Sequence, residues 1–340
     1  MRRVSKCAFI ALLAATLVAP AGAAPEERVV IDGYLQARAV VTERPSGVYD
    51  IEGSTFTIRR ARVRFRHATE IARFVVELEG TARTGPVIRD AYVQIPFHIG
   101  QARGPFTFWV GQFQIPFGYA VPSSSRQNLF PELPVGFVED TVGLALFPDL
   151  RDVGLRLSFE MGRTQADLAV VNGSGLADAD PNRSKEFYAR IKRRFGSLEA
   201  ALSGRISNQV IAGVDRQHSI WGIGAKVTPS FGGEFTAEFA TGRDAATATS
   251  HTTPRTWYIE YDRPLGGGWL VGARYSSFDP DIDNVGVAGN TGEERGAAFA
   301  LAYQFDEHLR LTGALEFPRV TTSLGRQTAT AGIFQTQYSF

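Results

Sequence analysis

The chain has 340 residues, with 36 Lys and Arg against 35 Asp and Glu, a formal net charge of +1 and one cysteine, Cys7. So even a balance supplies no global basic field of the kind that holds nucleic acid, and no nucleic-acid partner is expected. A lone cysteine excludes a disulfide framework and a multi-thiol metal site.

In chain order, residues 1–23 read as a secretory signal. Arg2, Arg3 and Lys6 precede an apolar run from Cys7 to Ala19, and Ala21-Gly22-Ala23 supplies the small residues a signal peptidase inspects. Cleavage after Ala23 leaves 24–340 as one unit. Cys7 lies inside the run rather than at its end, which argues against a lipoprotein anchor. Removing the three signal cations leaves 33 basic against 35 acidic side chains, a net charge of about −2. Apart from Lys6 the lysines are Lys185, Lys192 and Lys226, so the placement of arginine matters more than the total.

Beyond the signal no run of about 18 apolar residues remains, which leaves strands as the only way through a bilayer. Spanning strands need about 9–11 residues each and alternate lipid-facing apolar with lumen-facing polar side chains. Ile31 to Val41 places Ile31, Gly33, Leu35, Ala37, Ala39 and Val41 opposite Asp32, Tyr34, Gln36 and Arg38. From Ile71 to Arg83 the faces are Phe74, Val76 and Leu78 against Arg73, Glu77 and Glu79. Phe235, Ala237 and Phe239 oppose Glu234, Thr236 and Glu238, and Trp257, Ile259 and Tyr261 oppose Tyr258, Glu260 and Asp262. Leu309, Leu311, Gly313, Leu315 and Phe317 oppose Arg310, Thr312 and Glu316.

Such segments centre near residues 35, 61, 77, 92, 110, 156, 168, 190, 202, 223, 237, 258, 272, 299, 313 and 334. The expected fold is therefore all-β: a sixteen-stranded antiparallel transmembrane barrel of the outer-membrane type, with lipid around it. Connections alternate in length as such barrels require. Short ones fall near His67-Glu70, Glu160-Thr164, Phe195-Ser197, Thr228-Gly233, Asp262-Gly268 and Phe305-His308. Longer ones span Glu43-Gly53, Pro116-Asp152, Asn172-Ser184, Asn208-Gln217, Gly242-Thr253, Phe278-Thr291 and Pro318-Arg326. The link near Gly85-Pro86 is external by this count yet very short.

The last segment puts Phe334, Tyr338 and Phe340 on one face and stops on phenylalanine. This ending resembles the signal read by the barrel-assembly machinery, which becomes an expected partner through Tyr338 and Phe340.

Several motifs look like those of the phosphate-selective porin O and P family. They are Gly33-Tyr34-Leu35-Gln36-Ala37-Arg38, Phe56-Thr57-Ile58-Arg59-Arg60-Ala61-Arg62-Val63 and Asp90-Ala91-Tyr92-Val93. Others are Gly111-Gln112-Phe113-Gln114-Ile115-Pro116-Phe117-Gly118, the most specific, Arg151-Asp152-Val153-Gly154-Leu155 and Val171-Asn172-Gly173-Ser174-Gly175. All lie in the N-terminal half; the C-terminal half matches by strand pattern alone. The resemblance implies a sixteen-stranded barrel, a homotrimer, and a third external loop, here Pro116 to Asp152, folded inward to narrow the pore. That loop carries Ser123, Ser124, Ser125 and Arg126, then an apolar section from Val142 to Phe147. Family members that bind phosphate tightly also rely on a lysine cluster, and this chain has no lysine from Asn208 to Gln217.

Chemically the most informative segment is Ile58 to Arg66, where alternation puts Arg60, Arg62, Arg64 and Arg66 on one face and Ala61, Val63 and Phe65 on the other. In lipid each arginine would cost about 2–4 kcal/mol near the midplane, so that face must line the lumen. Neighbours stand about 7 Å apart along the strand. A row of charged forks at that spacing suits passage of small anionic solutes between partial binding sites. The same row suits bracing against Glu77 and Glu79, and both readings stay open. Arg190, Lys192 and Arg194 form a second basic row, with Arg193 on the apolar face near a turn, where it can snorkel.

Other constellations are weaker. Asp178-Ala179-Asp180-Pro181-Asn182 and Asp279 to Asn284 alternate carboxylates without the full pattern of a calcium loop. His67, His98, His218, His251 and His308 lack metal-ligand spacing, and Ser219 beside His218 is the nearest approach to a hydrolase pair. No metal, cofactor or enzymatic activity is expected. A passive pore ranks first, ahead of a non-conducting barrel serving as adhesin or anchor, and then an outer-membrane hydrolase.

Overall fold

A computed structural model describes residues 28–43, 53–81, 85–99, 104–137, 146–147, 150–176, 184–211, 214–245, 250–284, 293–322 and 325–340. The signal segment 1–23, the acidic run Asp178–Asn182 and most of Val142–Phe147 lie outside the described residues.

The elements are β1 (Val30–Thr42), β2 (Gly53–Ala68), β3 (Arg73–Glu79), β4 (Val87–Phe97), β5 (Phe106–Gln114), β6 (Arg151–Met161), β7 (Thr164–Val171), β8 (Glu186–Phe195) and β9 (Leu198–Ile211). They continue as β10 (Val214–Val227), β11 (Glu234–Ala245), β12 (His251–Thr252), β13 (Arg255–Gly266), β14 (Trp269–Asp279), β15 (Glu293–Gln304), β16 (Leu309–Thr322), β17 (Gly325–Thr328) and β18 (Ala331–Ser339). Strands β12 and β17 are short extensions paired to β11 and β16, and the other sixteen form the expected barrel. Each pairs antiparallel with its neighbours, and β1 pairs with both β2 and β18, so the sheet closes. The seam is completed at the final residue: Gly33 N donates to Phe340 O and Phe340 N to Gly33 O, both at 3.0 Å. The Phe340 ring lies over Gly33, where an added Cβ would stand 2.7 Å from the ring Cζ.

The alternation read from the sequence appears as an inversion of ordinary burial. Leu35, Leu155, Leu168, Phe187, Ile191, Leu202 and Leu315 are exposed, while Gln36, Asp167, Arg190, Thr312 and Gln337 are buried. In water that arrangement would forfeit the hydrophobic driving force; with lipid outside, the exposed apolar band is the buried one. On β13 the exposed Arg255 and Arg263 bracket Trp257, Ile259 and Tyr261. At about 3.4 Å per residue they lie about 27 Å apart along the strand, or about 20 Å in height after a tilt of about 40°, close to the ~25 Å apolar belt of such barrels. Aromatic pairs mark both borders, with Trp257 against Tyr275 (5.5 Å between centroids) toward the long-loop end and Trp269 against Tyr303 (4.8 Å) toward the short-turn end.

Connections differ from expectation in three places. Asn208–Gln217 is not a long loop: the ladder continues with Asn208 opposite Gln217 and Ile211 opposite Val214, in a stretch whose sequence is rich in strand-favouring residues. Across Asp262–Gly268 the ladder likewise runs on to Gly266 opposite Trp269. Pro318–Arg326 forms a hairpin in which Thr322 faces Gly325.

Candidate functional site

The connection from β5 to β6 leaves the wall through the most specific of the sequence motifs. Gly111 takes a φ of 125°, and a Cβ there would meet Ala91 O at 2.1 Å. Phe113, Ile115 and Phe117 are buried in one apolar cluster with Phe137, Phe147, Ile220 and Phe278. At Gly118, with φ 55°, a Cβ would fall 1.5 Å from Glu238 Oε1, so only glycine lets that carboxylate receive Tyr119 N and Ala120 N, each at 3.0 Å.

From there the segment bonds to inward side chains on strands all round the ring. Ser125 Oγ meets Tyr34 Oη at 2.6 Å and Ser125 O accepts from Gln36. Arg310 donates to Arg126 O and Asn128 O, both at 3.0 Å, and Arg274 donates to Glu132 O at 2.8 Å. Thr256 donates to Val135 O and Arg205 to Leu146 O. Leu129 and Phe130 pack on Ala298, Ala300, Ala302 and Ala314, whose small side chains leave them room. The Glu132 carboxylate receives Arg59 through two bonds of 2.7 Å and Arg38 through one of 2.5 Å. Burial alone would push this carboxyl up; the guanidiniums of Arg59, Arg60 and Arg38 outweigh it and hold it well below the usual carboxylate range.

Arg60, Arg62, Arg64 and Arg66 lie on the inner side of β2, as their spacing requires, and all are engaged. Arg60 donates to Gln36 Oε1 at 3.0 Å and to Pro131 O at 3.4 Å. Arg62 pairs with Glu79 at 2.7 Å and Glu77 at 3.4 Å, and Arg64 with Glu77 at 3.1 Å and Asp32 at 3.8 Å. Arg66 reaches Asp32 at 2.8 Å, and Arg126 of the loop reaches the same carboxylate at 3.5 Å. Bracing by Glu77 and Glu79 is therefore present; Glu77 is shared by Arg62, Arg64 and Arg151, while Glu79 holds Arg62 alone among the described ion pairs.

Two β-bulges enlarge this set. Gln36 faces Arg60 while Ala37 faces Ile58, so Arg59 is an extra residue and turns inward to Glu132. The nearby Ala61 amide is satisfied by Glu79 Oε1 at 2.9 Å. Glu77 faces Asp90 while Leu78 faces Ile88, which makes Arg89 the extra residue, placed among Arg151, Arg62, Glu79 and Asp90. Gln112 of the loop motif donates to Ile88 O at 2.7 Å and Arg89 O at 2.8 Å, satisfying the carbonyls there. Arg59 and Arg89 escaped the sequence reading, although a signal was present: the apolar parity runs Phe56, Ile58 and then Ala61, Val63, Phe65.

The second basic row divides. Arg190 is buried, pairs with Asp167 at 2.7 Å, shares it with Arg156 at 2.6 Å, and donates to Gly118 O at 3.0 Å. Lys192 and Arg194 share Glu199, at 4.0 and 3.3 Å. Both line a cavity of about 870 Å³ with Ser124, Arg190 and Lys226; Glu234, Glu260 and Asp262 also line it. Arg193 points outward, as expected, with its guanidinium over the Phe195 ring.

The weaker constellations do not assemble. His218 points inward and touches Asp244, whereas Ser219 falls on the outer side with Trp221, so strand alternation separates the pair. Asp281 accepts from Thr253 N and Asp283 from Thr253 Oγ1, and among the described residues no group of three or more His, Cys, Asp or Glu could hold a metal ion.

A closed sixteen-strand barrel with an apolar exterior and a charged lumen crossed by a bonded loop has the architecture of an outer-membrane porin. The family model for phosphate-selective porin O and P matches residues 52–247, and the chain belongs to that family. Its fold is similar to the anion-selective porin from Comamonas acidovorans, at 13% identity and a TM-score of 0.68 over 92% of this chain and 99% of that one. It is also similar to OmpF of Salmonella typhi in complex with daunomycin, at 13% identity and 0.67 over 92% and 97%. A third similar structure is the trimer form of OmpT from Vibrio cholerae, at 10% identity and 0.65 over 92% and 99%. No curated protein sequence matches the chain.

Proposed function

We propose that the chain forms a water-filled diffusion channel for small solutes in the outer membrane, biased toward small anions, phosphate among them. The observation that carries this reading is the surplus of arginine on the β1–β6 side of the lumen. There Arg38, Arg59, Arg60, Arg62, Arg64, Arg66, Arg89, Arg126 and Arg151 outnumber Asp32, Glu77, Glu79, Asp90 and Glu132. Members of the row stand about 7 Å apart, inside a screening length of about 8 Å, so their fields overlap. Each shared guanidinium keeps donors that an entering anion can take up one after another. The loop seated across the barrel serves as the constriction. Scarce lysine favours general small anions over a dedicated phosphate site.

The reading assigns no chemical step to the chain. It takes the assembled form as a homotrimer, in line with the trimer form of the similar OmpT, and takes the outward Tyr338 and Phe340 as the handle for barrel assembly. Planar-bilayer recordings in a salt gradient test it. Wild type should give an anion-selective reversal potential, and changing Arg60, Arg62 and Arg64 together to alanine should move it toward cations. A barrel that inserts but does not conduct would overturn the channel; an unmoved potential would leave the row a brace.

A further inference from the structure

At the long-loop end of the barrel, outward-facing positions carry a second set of arginines that the pore does not use. Arg243 on β11, Arg255 on β13, Arg295 on β15 and Arg319 on β16 are all exposed. Each continues its strand's lipid-facing row: Arg255 stands beyond Trp257, Arg295 beyond Phe299, and Arg319 beyond Phe317. The register places Arg295 directly opposite Arg319. Like charges so placed repel, which disfavours the pair unless an anion lies between them. Arg243 touches His251 at 3.2 Å and Arg295 meets Glu293, while Asp279, opposite Arg255 in the register, is buried. On the opposite arc, the outward positions near the same rim are Val41, Phe56, Ile88, Leu155 and Phe187.

We infer that this belt binds the phosphate groups of the outer-leaflet glycolipid. An arginine on the lipid side is unfavourable at the membrane midplane and tolerated at the interface, so arginines near the long-loop ends of four strands mark the level of the headgroups. There the forked guanidinium matches phosphate oxygens in a bidentate fashion. The Trp257 and Tyr275 rings just below suit the adjoining border between acyl chains and sugars. The inference rests on the outer-membrane location and is independent of what the pore conducts.

Native mass spectrometry of the refolded full chain, titrated with bisphosphorylated lipid A and with the same lipid dephosphorylated, tests it. Wild type should hold the phosphorylated lipid in preference, and R295Q/R319Q should weaken it by about twenty-five-fold, from a factor of about five for each surface arginine. The dephosphorylated lipid should bind wild type and variant alike. Heat-modifiable migration and unchanged single-channel conductance report that the variant is folded. Equal binding of both lipids by wild type, or undiminished binding by a folded variant, overturns the inference. If the double variant does not fold, the wild-type contrast and the single R255Q variant decide it.

Discussion

The lumen has two walls built on different electrostatic plans. On the β1–β8 side, carboxylates are bridges: Asp32 joins Arg64, Arg66 and Arg126, and Asp167 joins Arg156 and Arg190. On the β11–β14 side, carboxylates stand nearly alone. Glu238 receives two loop amides and Tyr258 Oη on Oε2 alone, Glu260 has Arg274 at 3.5 Å, and Glu234 has Lys226 at 2.6 Å. The loop is thus clasped through opposite chemistries, its Glu132 by guanidiniums on one side and its amides by Glu238 on the other. The contrast shows that one barrel can hold a loop through both charges, with guanidiniums gathered on one side of the lumen and carboxylates on the other.

Breaking the bridging wall should give the largest effect. Asp167→Ala leaves two buried guanidiniums without their shared acid, and stability should fall by roughly 3–5 kcal/mol in urea titrations of the refolded barrel. Next comes the clasp on the opposite side. Gly118→Val places a Cβ where the Glu238 carboxylate now sits and forces a β-branched residue to positive φ, at a cost of about 1–2 kcal/mol; the loop should loosen and single-channel conductance rise. Sharpening the charge contrast requires the reverse of the arginine test: Glu260→Gln with Asp262→Asn should move the reversal potential further toward anions, by less than the arginine triple moves it the other way.

The smallest effect concerns pH. Because the folded Glu132 carboxyl is held below its ordinary value, its contribution to stability is present above the unfolded value of about 4.3 and is lost only as pH falls through the lower folded one. Open-channel noise should therefore stay flat from neutral pH down to about 4, while Glu132→Gln should be noisy already at neutral pH.

The sixteen strands, their facing and the arginine row were legible because alternation is a local property: residue i+2 shares the face of residue i whatever the tertiary fold. The bulges at Arg59 and Arg89 show where that logic fails, since one inserted residue brings two successive side chains to the same face. The clasps were not legible at all. Glu238 meets Tyr119 and Arg310 meets Arg126 across more than a hundred residues, and no periodicity encodes a contact made through the open middle of a ring. Sharing was likewise hidden: spacing placed Glu77 near the row but could not say that Arg62, Arg64 and Arg151 would divide it.

The bridging carboxylates also bear on how such a channel drifts over generations. Loss of any one arginine around Asp32 leaves the acid held by two others, so the wall tolerates it with a small change in preference. Loss of Asp32 instead takes a partner from three guanidiniums at once, of which Arg64 keeps Glu77. On the proposed anion path, acidic positions would be the coarse dial of selectivity and arginines the fine one, and lineages adapting to a new solute should change the first rarely and the second often.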